Sequence, residues 1–389
     1  MVQPGTYVFL AQDRVIFGKP ADDAVAEEAA RRNARRVFVV ASKTLSRNTD
    51  EVARIQSALG ERFAGLFDET REHVPRDSVL TAAAAVRTAN PDLIVTVGGG
   101  TPIDTVKVML VCLAEDISST EQLGEYYIRA KPDGTREVKP VRSPPMRQII
   151  VPTTLSGAEF SNLGAAIDPV RQVKDLYTGR EIGGDTVILD PAVTVHTPDW
   201  LWLSTGMRAV DHAVETVCSK APQPFTDATA LYGLEMLGRS LRRNHAAPGD
   251  LAARLDSQLG VWLSTTGLGR VPWGASHGIG HQLGAVAGVP HGYCTCVMLP
   301  AVLRWNKSVN ARQQETVARA LGGSGDDAAG AVAKLIADLG MPSRLRDVGV
   351  KPEHFDAIAA GSLTNLFVRQ NPRPVNRRED VLEILESAY

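Results

Sequence analysis

Asp92–Thr101 reads DLIVTVGGGT and runs on through PIDTVK to Lys107. A β-branched apolar run closed by three glycines is a buried strand ending in a tight turn, and Pro102 stands where a helix opens. Glycines there let the backbone approach phosphate oxygens. The open N–H groups of the helix start, aided by the helix dipole, favour negative charge. The three-glycine form is neither the dinucleotide GxGxxG nor a P-loop, because no Gly-Lys-Ser/Thr follows. A plain strand-to-helix turn and a phosphate cradle are both open readings at this point.

Working outward, the first half alternates short β-rich runs with helical stretches, as a doubly wound parallel sheet does. Strands are expected at Arg36–Ala41, Asp92–Val97, Gln148–Val151 and Thr186–Leu189, with helices at Ala21–Asn33, Asp50–Leu59, Arg76–Ala89 and Pro102–Ala114. After Asp190-Pro191 the chain reads as successive helices: Gly206–Cys218, Phe225–Arg239, Pro248–Ser264, His277–Val286, Arg312–Leu321, Asp326–Leu339 and Arg378–Ser387. The expected architecture is an α/β domain over residues 1–191, a doubly wound parallel sheet, followed by an all-α domain over 192–389. A polar excursion over 116–147 carries KPDGT (Lys131–Thr135), the turn signal of a hairpin.

At 389 residues the chain is long enough for two domains. Lys+Arg 42 against Asp+Glu 44 leaves a formal charge of -2, so nucleic acid and anionic membranes gain no help from net charge. Four scattered cysteines, Cys112, Cys218, Cys294 and Cys296, make neither a disulfide framework nor a zinc knuckle. No leader pattern or long apolar span is present, and a cytoplasmic setting is expected.

Of eight histidines, three fall within Gly274–Gly292, GASHGIGHQLGAVAGVPHG. His277 and His281 are four apart and share a helix face, and His291 sits in a Pro-His-Gly turn able to fold back toward them. A lone histidine is more often a core residue or a cap, whereas three in so short a stretch point to a functional site.

These segments together resemble the iron-containing alcohol dehydrogenases. GGGTPIDTVK (Gly98–Lys107) is similar to the GGGSxxDxAK motif, which implies Gly98, Gly99, Gly100, Thr101 and Asp104 as contacts to the NAD(P) pyrophosphate. VPTTLSGAEFS (Val151–Ser161) resembles the PTTxGTGSE segment, which implies Thr153, Thr154, Leu155 and Ser156 as further cofactor contacts, with GTGSE only partly reproduced. Lys174 stands where the family carries a basic residue facing the cofactor, a solvated loop lysine being the plain alternative. Ser42 stands where NAD-preferring members have an Asp on the ribose. Beside Lys43 it accepts a 2′-phosphate, so NADPH is expected to serve at least as well as NADH.

The histidine segment resembles HGxxHxLGxxxxxPHG. The family's pattern implies His277 and His291 as ligands of a divalent metal, iron or zinc, with His281 near nicotinamide and substrate. Two more ligands come from GxDAxxHAxE. Here GMRAVDHAVE (Gly206–Glu215) keeps His212 but puts Arg208 at the Asp position. A guanidinium has no lone pair and repels a divalent ion, so metal-independent chemistry is expected. Asp211, one residue along the helix from His212, is expected to point elsewhere.

Without a metal, Arg208 is the group expected to hold a substrate carboxylate or the developing oxyanion, with His281 or His277 supplying the proton. The plain alternative pairs Arg208 with Asp211 or Glu215, facing away. Maleylacetate reductases, the branch that also lacks the Asp, share the NPRP ending seen at Asn371, although their histidines read closer to HHKxxH and PHAxxH. The resemblance implies a homodimeric oxidoreductase acting on a small carbonyl or alcohol, with residues 1–191 as the dinucleotide-binding domain, 192–389 as the substrate and catalytic domain, and hydride transfer expected in the cleft between them. A metal-dependent alcohol or polyol dehydrogenase of the same fold and a degenerate nucleotide-binding member are the competing readings.

Overall fold

The computed structural model describes residues 5–131, 136–171 and 173–389. The chain divides into two compact units, one of Phe9–Thr197 and one of Pro198–Tyr389 joined by the start of the chain up to Val8. The first is α/β and the second is helical.

The α/β unit is built on six parallel strands: β1 (Arg14–Phe17), β2 (Val37–Ala41), β3 (Phe63–Phe67), β4 (Leu93–Gly98), β7 (Gln148–Pro152) and β10 (Gly184–Leu189), in the order β1-β10-β7-β4-β2-β3. Helices α1 (Ala21–Arg31), α2 (Lys43–Asn48), α3 (Glu51–Leu59), α4 (Arg76–Ala89), α5 (Gly100–Ala114) and the short α6 (Thr120–Leu123) follow the strands. Strands β2, β4 and β7 are buried throughout, as parallel strands covered on both faces must be. Their side chains alternate accordingly. Val37, Val39, Ala41, Val95 and Val97 join one core with α1 and α3. Phe38, Val40 and Ile94 join the other with α4 and α5.

Two antiparallel additions complete the unit. Strands β5 (Arg129–Ala130) and β6 (Arg136–Glu137) pair within the expected excursion, and the turn residues 132–135 lie outside the described residues. Strands β8 (Leu163–Asp168) and β9 (Val173–Thr178) form a hairpin that the sequence did not announce, because its apolar residues are interrupted by Asp168 and Asp175. Those two carboxylates are buried against Arg76, Asp168 at 2.9 Å and Asp175 at 2.5 Å, which moors the hairpin to α4.

In the helical unit α7 (Asp199–Val217), α8 (Pro224–Ala246), α9 (Leu251–Ser264), α10 (Ala275–Ala287), α11 (His291–Ala320), α12 (Ala328–Asp338), α13 (Phe355–Thr364), α14 (Leu366–Arg369) and α15 (Arg378–Ala388) pack together. Helix α7 starts at Asp199 behind Pro198, two turns earlier than the Gly206 expected from the sequence. It is buried almost all round from Trp202 onward. No helix among the described residues is long and apolar enough to cross a membrane.

The turn after β4 is the most constrained backbone near the strand ends. Gly98 has φ 145°, and a Cβ there would lie 2.6 Å from Pro102 Cγ. Gly98→Ala is expected to cost about 1–3 kcal/mol through backbone strain alone, before the Pro102 clash is relieved. Urea unfolding monitored by circular dichroism measures it, and an unchanged midpoint contradicts the strain.

Candidate active site

Three neighbouring strands deliver the proposed cofactor residues. Strands β2, β4 and β7 are adjacent and parallel, with Ala41 opposite Val97 and Gly98 opposite Pro152. Their C-terminal ends therefore bring Ser42, Gly98–Thr101 and Thr153–Ser156 to one edge of the sheet, where open α/β sheets take their ligands. The Ser42 N–H donates to Val97 O at 3.1 Å and the Thr153 N–H to Gly98 O at 3.0 Å. A Cβ on Gly99 would fall 2.8 Å from Thr154 Cγ2, and one on Gly100 3.7 Å from Ser156 Oγ. The Thr154 hydroxyl in turn donates to Ser156 Oγ at 3.3 Å, and Leu155 is fully buried beneath.

Gly99 is the N-cap of α5, so the first N–H groups of a fifteen-residue helix open onto this glycine-lined edge. Beneath it lies Lys107, wholly buried, with its ammonium donating to Ala158 O at 2.5 Å and Leu163 O at 2.8 Å and lying 3.9 Å from Asp104. Burial depresses the Lys107 proton affinity, while Asp104 and Glu159 oppose that. Lys107 thus ties α5 to the chain that follows β7. Lys174 is placed differently: it is exposed on β9, opposite Ile167 in the separate hairpin, and not at the three strand ends.

The histidines gather in the helical unit where α7 meets the start of α10. Glu215 of α7 caps that helix. Its Oε1 accepts the Ser276 N–H at 3.0 Å, and its Oε2 lies 2.7 Å from His277 Nδ1. Asn371, from the NPRP segment, accepts the Ala275 N–H at 2.9 Å. Asp211 does not turn away as its helical step suggested. It is fully buried, accepts from Ser276 Oγ at 2.9 Å and Thr295 Oγ1 at 3.1 Å, and lies 3.3 Å from His277 Nδ1. The cluster wraps more than one face of α7, so a rotation of about 100° does not carry a side chain out of it.

His212 stacks on His277 (5.2 Å between centroids) and on the Trp273 indole (4.7 Å). Trp273 Nε1 is anchored on Thr216 Oγ1 at 3.1 Å. His281, one turn past His277, is half-buried and stacks at 5.7 Å on His291. His291 is not in a turn; it opens α11 directly after Pro290 and is exposed. Phe367 packs edge-on to His281 at 5.6 Å. Trp273, Glu215, Asn365 and Phe367 were not among the sequence candidates. For Glu215 the HAVE motif held the signal, and for Asn365 its place ahead of an apolar turn did.

Burial sets the protonation of the cluster. It pushes His277 down to about 4, with Asp211 opposing and Arg208 reinforcing. His212 is held well below its ordinary value by burial and then by Arg208. Burial lifts Asp211 to about 6 and Glu215 to about 7, the backbone N–H groups capped by Glu215 and then Arg208 opposing the rise. Both buried imidazoles are therefore neutral near pH 7, and the guanidinium of Arg208 acts on both.

The sequence relationships agree with this layout. A family model described as iron-containing alcohol dehydrogenase matches residues 12–191, and its counterpart, the C-terminal model of the Fe-containing alcohol dehydrogenase family, matches 202–389. The chain belongs to the iron-containing alcohol dehydrogenase family. Among its relatives, a dehydrogenase of Alternaria alternata named ALT3 is 33% identical, over 91% of this chain and 98% of that one. A maleylacetate reductase of Burkholderia cepacia is 30% identical, over 97% and 95%. The solved maleylacetate reductase of Agrobacterium tumefaciens superposes with a TM-score of 0.84 at 26% identity, over 100% and 99%.

Members of this family bind NAD(P) and usually a divalent metal, and the present histidines do not fit the metal. Among the described residues, the trio of His, Cys, Asp and Glu whose ligand atoms lie within 4.8 Å of one another is Asp211, Glu215 and His277, not His212, His277 and His291. Of that trio, Asp211 Oδ2, both Glu215 oxygens and His277 Nδ1 are taken up by one another, Ser276 and Thr295, while Asp211 Oδ1 and His277 Nε2, like both nitrogens of His212, are buried without a hydrogen-bond partner among the described residues. Arg208 adds a fixed positive charge that already lowers the proton affinity of His212 and His277 and would oppose a divalent cation in the same way. Elemental analysis of purified, dialysed protein is expected to find no stoichiometric iron or zinc, whereas Arg208→Asp, which restores a carboxylate beside His212, is expected to gain a zinc site by calorimetry. A native protein that retains a full equivalent of metal contradicts this.

Proposed function

We propose that this oxidoreductase reduces a small carboxylated carbonyl compound with NADPH or NADH, without a metal, and oxidises the matching hydroxy acid in reverse. The observation that carries the reading is Arg208, a permanent cation acting on two buried neutral imidazoles where the family places an acidic metal ligand. A guanidinium matches a carboxylate in two parallel hydrogen bonds, which suits an anionic substrate.

The glycine-lined start of α5 suits the pyrophosphate, and Ser42 at the end of β2 leaves room for a 2′-phosphate that an Asp would repel. A bound dihydronicotinamide supplies the hydride. Arg208 binds the carboxylate and orients the carbonyl. His281 meets the carbonyl oxygen, while neutral His277, depressed to about 4, is a poor source of protons near pH 7. The stacked rings of His212 and Trp273 keep water from the buried side. Lys174, exposed on β9, is left without a part in this mechanism. The four buried, unpaired cysteines suit a reducing compartment such as the cytoplasm.

Following NADPH oxidation over matched pairs of oxo acids and uncharged aldehydes or ketones tests the substrate class. Oxo acids are expected to turn over with the higher kcat/KM, and Arg208→Ala is expected to lower kcat/KM about 10- to 100-fold for oxo acids alone, the worth of one charged hydrogen-bond pair. Equal use of uncharged carbonyls, unaffected by Arg208→Ala, overturns the reading. With the best oxo acid in hand, native kcat/KM is expected to be at least as high with NADPH as with NADH, and Ser42→Asp to shift the preference toward NADH. A strong native preference for NADH contradicts the assignment of Ser42.

A further inference from the structure

Asn365 is the N-cap of helix α14, and its Oδ1 accepts the Phe367 N–H at 2.9 Å. That bond settles which end of the amide is which, since a backbone N–H needs the oxygen. Asn365 Nδ2 therefore points the other way, and it lies 3.4 Å from His281 Nδ1. An amide nitrogen has only protons to give, so His281 Nδ1 must be the acceptor and carries no proton. The neutral ring then bears its one proton on Nε2. Protonating Nδ1 as well would set two N–H groups against each other.

The approach of α14 to α10 is built in. A Cβ on Gly278 would lie 2.5 Å from Val368 Cγ2, 2.8 Å from Val368 N and 3.1 Å from Asn365 Oδ1, so the glycine after His277 makes room for the segment that carries Asn365. Phe367 and His291 hold the plane of the His281 ring from two further directions. One turn earlier on the same helix, His277 meets the opposite partner, since its Nδ1 faces the Glu215 carboxylate.

We infer that Asn365 is a positioning residue that fixes His281 in the Nε2–H tautomer, making it a neutral hydrogen-bond donor to the substrate's carbonyl oxygen. This rests on the proposed reading of His281 as the group that meets that oxygen. In the reaction the hydride adds to the carbonyl carbon, the π pair moves to oxygen, and the Nε2–H stabilises the alkoxide that forms. The alkoxide then takes its proton from solvent water, so the His281 ring keeps its own. The other tautomer would set a nitrogen lone pair against the oxygen and withdraw that stabilisation.

Long-range proton–nitrogen spectra of full-length protein labelled with 15N-histidine read the tautomer directly, with His281 assigned by its loss in His281→Gln. The expected spectrum has a bare Nδ1 and a protonated Nε2. Asn365→Asp keeps the cap but turns a donor into an acceptor. Its His281 Nδ1 is expected to gain a proton, and at about pH 9, above the ordinary imidazole range, kcat is expected to fall about 100-fold with NADPH affinity unchanged. A native His281 protonated on Nδ1 overturns the inference, whether or not the variant folds, as does an Asn365→Asp protein that keeps Nδ1 bare or keeps its kcat. The tautomer is read without substrate, so its outcome stands apart from that of the turnover screen.

Discussion

The passage from β4 to α5 has to be made without side chains, and the α/β unit is arranged around that requirement. Gly98 leaves the strand at φ 145°, and the space where Cβ atoms would stand is taken by Pro102 at one residue and Thr154 at the next. Because β4 lies between β2 and β7, the helix N–H groups open at an edge flanked by Ser42 and Thr153–Ser156. The core on both faces of the sheet fixes this register, since a slip of one residue would exchange the two faces of every strand. Lys107 then secures the first turns of α5 from below, through two carbonyls of the segment after β7.

In the helical unit two hydrogen-bonded carboxylates join the helices around His277. Glu215 joins α7 to the start of α10, and Asp211 bonds hydroxyls from α10 and α11. These contacts hold the Nδ1 side of His277 in place. Arg208 stands where the family pattern has an acidic ligand, and burial keeps both imidazoles neutral near pH 7.

Much of this was legible in the sequence, and the misses have physical causes. The strand–glycine–helix passage was clear because apolar β-branched residues and glycines have few other uses in that order, and the two buried faces of a parallel sheet write continuous apolar runs. The β8–β9 hairpin was not clear, because its buried Asp168 and Asp175 look like solvent residues until Arg76 arrives from α4. His291 was read as part of a turn because Pro-His-Gly signals one locally, whereas Pro290 is the N-cap of α11. Trp273 matters through contacts between helices that no local pattern encodes, whereas Glu215 and Asn365 carry local signals that do not reveal their partners. Asp211 was misjudged because helical geometry was applied as though α7 had only one functional face.

The claim on which the account rests is that the start of α5 holds the phosphates of a nicotinamide dinucleotide. A crystal structure of the protein with NADPH tests it most directly. The account predicts pyrophosphate oxygens about 3 Å from backbone N–H groups among Gly99, Gly100 and Thr101, with the 2′-phosphate beside Ser42. Density for the dinucleotide at any other edge of the sheet, or none at saturating NADPH, would contradict it.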